Sequence, residues 1–322
     1  AVHLKSVEAT ATVIPAGTSL NNAVLGVPNA LDLGLPLFPL VEESASRGDA
    51  SNALDQLALP DYKPGVFTFG EKRGQPDWGN LRRHVQSHSE RELIGRATRN
   101  PTLRQIAVNA VEDLMDMRKD NGTHVSDDLT AEEIWGSVFE IVTLCTANPD
   151  PYRKEKLRAR QTALNLLDEF SECEWPERLR LVIAANVIDY SSARVVAKLD
   201  EQPDYYIHVL REAIHMPLAI DCFEQFRTMV IEGEPKQIIW LVDNDGEAVF
   251  DLWLIQMLLE RGHEITVVGK AAPASNDATL ADLDEIIRCQ QFRPLQDARS
   301  YGDVSLISSG SKTIGTNLHQ AS

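Results

Sequence analysis

The feature that most limits what this chain can fold into is a change of apolar period just after Pro235. QIIWLVD (237–243) is a short, nearly continuous apolar run, which predicts a strand covered on both faces. GEAVFDLWLIQMLLERG then takes helical spacing, with Val249, Leu252, Ile255, Leu258 and Leu259 on its inner side and Gly262 as its stop signal. EITVVG (264–269) predicts a second strand, DATLADLDEIIRC a second helix with Leu280, Leu283, Ile286 and Ile287 inward, and DVSLIS (303–308) a third strand. Such a series predicts parallel strands joined by right-handed crossovers. The expected fold class is α/β, a Rossmann-like doubly wound, mostly parallel sheet with a helical N-terminal lobe.

Upstream the signals differ. Residues 1–77 are rich in Pro, Gly, Ser and Asn and give no regular period, so they read as an irregular N-terminal arm. From 78 to 232 helical spacing dominates, as in LRQIAVNAVEDLMDM, where Leu103, Ile106, Ala107, Ala110 and Leu114 recur at three and four. The expected domains are therefore the arm, a helical lobe over 78–232 and an α/β metal-site domain over 233–322. Three strands make a thin sheet for this architecture, so further strands are expected from elsewhere or from a continuation of the chain.

Charge narrows the partners. With 31 Lys and Arg against 48 Asp and Glu, the formal net charge is -17, and such a surface repels nucleic-acid backbones and anionic membranes. Neither class of partner is expected, and oligomeric state is not legible. Cys145, Cys173, Cys222 and Cys289 are far apart and match no zinc spacing, and no signal peptide or membrane-spanning run is apparent, so a cytoplasmic protein with reduced thiols is expected. His84 and His88 have helical metal-ligand spacing but lack the Glu of a zinc protease, and read as surface residues.

In parallel sheets ligands gather at the carboxyl ends of the strands. Asp243 and Asn244 close the first strand, and Asn276 and Asp277 lie in the loop after the second, so two carboxylates and an amide converge. An all-oxygen set suits a hard divalent cation such as magnesium or manganese, and it leaves about three of the octahedral positions open. Taken singly, each residue is also an ordinary helix N-cap, Asp277 above all. Lys270, just past a strand end, is a candidate phosphate contact. Ser309, Gly310 and Ser311, with Lys312, form a loop that could cradle phosphate through backbone N–H groups or simply turn the chain. Arg153, Lys154 and Lys156 read as a solvent-facing helix start, with a substrate-binding role as the alternative.

The segments DNDGEAVFD (243–251) and NDATLAD (276–282) resemble the metal-dependent damage-control phosphatases. NPDPYRKEK (148–156), AANVIDYSSA (184–193) and SSGSKTIGTNL (308–318) resemble further segments of that family, in the same order. The resemblance covers roughly residues 100–320, with Ala185 where the family has Gly. It implies metal ligation by Asp243, Asn244 and Asp277, with magnesium, manganese, cobalt or nickel as the cation. It places Asn186 and Asp189 at the border of the substrate cleft and gives Glu247 a proton-handling role, for which a first-turn Glu stabilised by the helix dipole is the alternative. Asp243, Glu247 and Asp277 are then the catalytic candidates. The family continues into a Lys-Gly-x-Gly segment that does not occur before Ser322.

The expected function is hydrolysis of a small phosphorylated metabolite, a sugar phosphate or a damaged phosphorylated cofactor, with a water or a carboxylate as the attacking group. Two alternatives stay open: other chemistry on the same scaffold, such as methyl transfer, and a non-catalytic member that binds a phosphorylated ligand.

Overall fold

The computed structural model describes residues 78–129, 131–218 and 221–310. The expected N-terminal arm, Ser311 and Lys312 lie outside these residues. The chain divides into two units between Pro151 and Tyr152. The division falls well before the expected boundary near 232, because the helices after Tyr152 share a core with the sheet.

The described part of the first unit is helical. Helix α1 (Trp78–His88) runs through a π turn (Ser89–Ile94) into a last turn at Gly95–Ala97. Helix α2 (Pro101–Asp116) starts on Asn100, whose side chain accepts from the N–H groups of Thr102 and Leu103 at 2.9 and 3.3 Å, and Pro101 occupies the first position, where no N–H is needed. Its buried side, Ala107, Ala110, Val111, Leu114 and Met115, packs on α3 (Ala131–Thr146). His84 and His88 are half-buried and stacked at 5.6 Å, with the Trp135 ring edge-on to both. They are packing residues, not the surface residues expected of a pair that lacks the Glu of a zinc protease.

In the second unit, helices α4 (Arg153–Leu167), α5 (Trp175–Ala185), α6 (Ala193–Glu201) and α7 (Tyr205–Ala213) and the short α8 (Phe223–Phe226) precede the sheet. Strands β1 (Gln237–Leu241), β2 (Glu264–Gly269) and β3 (Val304–Ser308) are parallel in the order β1-β2-β3. Between them run α9 (Asp245–Leu259), α10 (Leu280–Ile287) and α11 (Arg293–Tyr301). The small parallel sheet among many helices is the α/β arrangement expected.

Two details differ from the sequence reading. Helix α9 is enclosed on all sides: Asp251, Trp253 and Leu254 are buried as well as Val249, Leu252, Ile255 and Leu258. It packs on α4, α5 and α10, so it is the centre of the unit and not an amphipathic cover. Strand β1 is not covered on both faces. Ile239 and Leu241 are 56% and 45% exposed, and in this register they share a face with Ile307, itself 42% exposed. An apolar run marks a strand but does not say how many layers cover it.

Candidate active site

The carboxyl ends of the strands are sewn together by backbone bonds beyond the sheet itself. Val242 N–H donates to Val268 O at 3.2 Å, and Ser309 N–H to Gly269 O at 2.8 Å. Past the strand ends, Ala278 N–H donates to Asp243 O at 2.6 Å and Asp245 N–H to Asn276 O at 2.9 Å, so Asn244 and Asp277 pair as an antiparallel bridge. These bonds bring the Asp243–Asn244 end of β1 against the Asn276–Asp277 loop, the convergence expected from strand order alone.

The capping alternative is weakened at both residues. Asn244 occupies the N-cap position of α9 but makes no side-chain capping bond. Helix α10 begins at Leu280, two residues later than Asp277 would require. Its cap is Thr279, which forms a reciprocal capping box with Asp282. Asp277 is thus left without a capping task.

Asp277 is buried, and its Oδ2 has no hydrogen-bond partner among the described residues. Lys270 Nζ stands 3.4 Å from it, an ion pair too poorly aligned to count as a hydrogen bond. Burial, reinforced by the nearby Asp243 carboxylate, pushes the Asp277 carboxyl up to about 6, against the pull of Lys270. Asp243 itself is exposed. Glu247, on the first turn of α9, is raised by burial and by Asp243, while hydrogen bonds from Asn186 and Asn244 pull it down. The Asn186 bond is 2.8 Å, from Nδ2 to Oε2. One turn further, Asp251 is raised well above the usual range by burial, then by Glu247, and accepts from Trp240.

Negative groups therefore outnumber the nearby cations: Asp243, Glu247 and Asp277 stand against Lys270, with a weaker pull on Asp277 from Lys156. A buried carboxylate oxygen without a donor is costly unless a cation or proton meets it. The orphaned Asp277 oxygen, the open Asp243 and the Asn244 amide form an oxygen set that fits a hard divalent cation. Two carboxylates and an amide are fewer than three His, Cys, Asp or Glu side chains, and no such group of three gathers among the described residues.

The remaining expected residues are placed as follows. Asp189 Oδ1 accepts from Asn276 Nδ2 at 2.9 Å and from Ser191 N and Oγ at 2.7 and 2.5 Å, so this carboxylate is engaged in holding the loop that carries Asp277. Asn186 is exposed and reaches Glu247. Lys270 is buried against Asp277, at the end of β2. Ser309 is buried beside Gly269, and Gly310 is exposed with φ +72°, a left-handed conformation suited to glycine; its N–H donates to Ser308 Oγ at 3.1 Å. Ser311 lies outside the described residues.

Lys156 corrects the expectation of a solvent-facing cluster: it is fully buried and ion-paired with Asp282, whereas Lys154 is exposed. Sequence reasoning also missed Arg160, Asp245 and Asp251. The signal was the spacing of Arg153, Lys156 and Arg160, three and four apart and hence on one side of α4, together with the buried Ala159 and Ala163. Gly246 shows how tightly this region is packed, since a Cβ there would lie 2.8 Å from Ile188 O and 3.0 Å from Ala159 Cβ.

A family model described as the damage-control phosphatase ARMT1-like domain matches residues 81–322. An uncharacterized protein of Methanocaldococcus jannaschii is 28% identical over 188 residues, 54% of each chain. A damage-control phosphatase of Pyrococcus horikoshii is 28% identical over 140 residues, 42% of this chain and 46% of its own. The chain thus matches about half the length of these curated relatives. The crystal structure of a DUF89 family protein from Pyrococcus horikoshii superposes with a TM-score of 0.54 over 76% of both chains at 22% identity, a likeness of fold.

Proposed function

The chain belongs to the ARMT1-like damage-control phosphatase family, and on that premise we propose that it is a metal-dependent phosphohydrolase of a small phosphorylated metabolite, a sugar phosphate or a damaged phosphorylated cofactor. The observation that carries the reading is the buried Asp277 oxygen without a donor, set beside Asp243 and Asn244 in a cluster with excess negative charge. In this reading Asp243, Asn244 and Asp277 hold the cation, with manganese, magnesium, cobalt or nickel as the candidates. A divalent cation bound there polarises a phosphoryl oxygen and offsets the charge that develops in the transition state.

The chain's own residues supply the rest. Lys270 steadies Asp277 and adds positive charge at the site, as a phosphate dianion requires. The N-terminus of α9, a helix of 15 residues, lends partial positive charge on the same side. Glu247, raised by burial and by Asp243 and oriented by Asn186, is the group placed to pass a proton to a leaving oxygen. Asn186, Asp189, Ser309, Gly310 and Ser311 border the substrate in this reading, Asp189 by holding the loop. The reading also keeps the Rossmann-like doubly wound sheet, supported by the parallel strand order. It keeps a cytoplasmic setting too, supported by the four free, scattered cysteines. Among the described residues no helix is long and apolar enough to cross a membrane.

The test is hydrolysis of an aryl phosphate by chelator-stripped protein, with manganese, magnesium, cobalt and nickel restored singly, beside Asp243→Ala and Asp277→Ala. Turnover restored by metal in the parent and in neither variant supports the reading. Metal-independent turnover, or equal turnover in the variants, overturns it.

A further inference from the structure

We propose that Arg160 is a positioning residue that sets the spacing between the two halves of the cation site. The proposal rests on the metal-dependent reading above and assigns a role to a residue that does not belong to the cluster itself. Arg160 lies on α4, is 6% exposed, and points between α9 and α10. Its Nε and Nη2 donate to Asp245 Oδ1 and Oδ2 at 2.8 and 2.6 Å, a two-pronged grip on a fully buried carboxylate. Nη2 also donates to Asp282 Oδ1 at 3.0 Å, and Nη1 to Glu285.

The sequence positions of these partners give the grip its consequence. Asp245 is the first residue of α9 and directly follows Asn244. Asp282 closes the capping box on Thr279, two residues after Asp277. One guanidinium thus holds the starts of both helices whose preceding residues form the oxygen set. The backbone bonds between 243–245 and 276–278 join these segments along one edge. Arg160 joins them through side chains, helped by Lys156 on Asp282 and by Arg153 on Asp282 and Glu285.

The charges here balance, three cations against Asp245, Asp282 and Glu285, and although Lys156 also draws on Asp277, Arg160 adds little net field of its own to the site. Its effect on the cation is geometric. Lysine would keep the charge but not the planar fork that spans two carboxylates. A role in positioning therefore predicts that Arg160→Lys weakens metal binding, whereas a role through charge alone predicts that it does not.

The experiment is calorimetric titration of chelator-stripped parent and Arg160→Lys with manganese, each checked for native near-ultraviolet circular dichroism. The expected result is an affinity at least about tenfold lower in the variant, in the range typical of groups that orient metal ligands, with turnover recovered as manganese is raised. Equal affinity in parent and variant overturns the role of Arg160 and leaves the metal-dependent reading standing. A parent that binds no divalent metal overturns both. If Arg160→Lys does not fold, Asp245→Asn decides in the same way: it keeps the side-chain shape and one acceptor but removes half the grip, and parental affinity in it overturns the proposal.

Discussion

Two clusters of charged residues lie side by side in the second unit, built from the same residue types, and they differ in how they are satisfied. Around Arg160, the carboxylates of Asp245, Asp282 and Glu285 meet Arg153, Lys156 and Arg160 in a balanced network. At the strand ends, Asp243, Glu247 and Asp277 face Lys270, and one buried oxygen has no donor among the described residues. Burial acts on both. In the first cluster it is overcome at Asp282, where Lys156 draws the carboxyl below its usual range, but prevails at Asp245 in spite of Arg160; in the second it prevails at Asp277, which rises to about 6. A cluster whose carboxylates are all met by cations, beside one that keeps a buried oxygen without a donor among the described residues, singles out the second as the candidate ligand site.

Four measurements would sharpen or break that contrast. The largest effect is expected on turnover: Asp243→Ala, at an exposed position that costs the fold little, should lower metal-dependent turnover by about a thousandfold or more, the loss of several kcal/mol of transition-state stabilisation. Parental turnover in that variant would remove the strand-end cluster from the chemistry. On stability the order reverses. Asp282→Asn removes the carboxylate paired with buried Lys156 and should destabilise the protein by about 3–5 kcal/mol by chemical denaturation, and a change within error would mean that the balanced network is not structural.

A third test uses pH. Asp277 is raised in the folded state from an ordinary value near 3.8 to about 6, so the folded form binds more protons between these values. The contribution of this group to the stability of the metal-free protein should therefore fall as pH rises from about 4 to about 6, by up to about 3 kcal/mol. Asp277→Asn should flatten that slope, measured by urea unfolding across the window; an unchanged slope would show that burial does not govern Asp277. The smallest effect is expected from Gly246→Ala, whose methyl group meets Ile188 O, at about 1–3 kcal/mol. Unchanged stability there would mean that the start of α9 can shift, which would undercut its role as a rigid platform.

The legible part of the site was the part written in short segments. Asp243, Asn244, Asn276 and Asp277 could be placed at neighbouring strand ends because β1 and β2 are local apolar runs and the residues that follow them are close in sequence. Lys156 was misread because a helix start rich in Arg and Lys is usually solvated, and only the packing of α4 against α9 puts that side chain inside. Arg160 was missed for the same reason: its partners are 85 and 122 residues away along the chain.

By itself the sequence determined the strand and helix order after Pro235, the parallel connection and the presence of carboxylate and amide residues at the strand ends, since these follow from apolar period, turn signals and residue type over short spans. Only the tertiary structure decided that α9 is enclosed, that Thr279 and not Asp277 caps α10, and that one cluster of carboxylates is neutralised while its neighbour is not. Charge balance in a buried site depends on side chains brought together from distant segments, and no local pattern encodes which cation reaches which carboxylate.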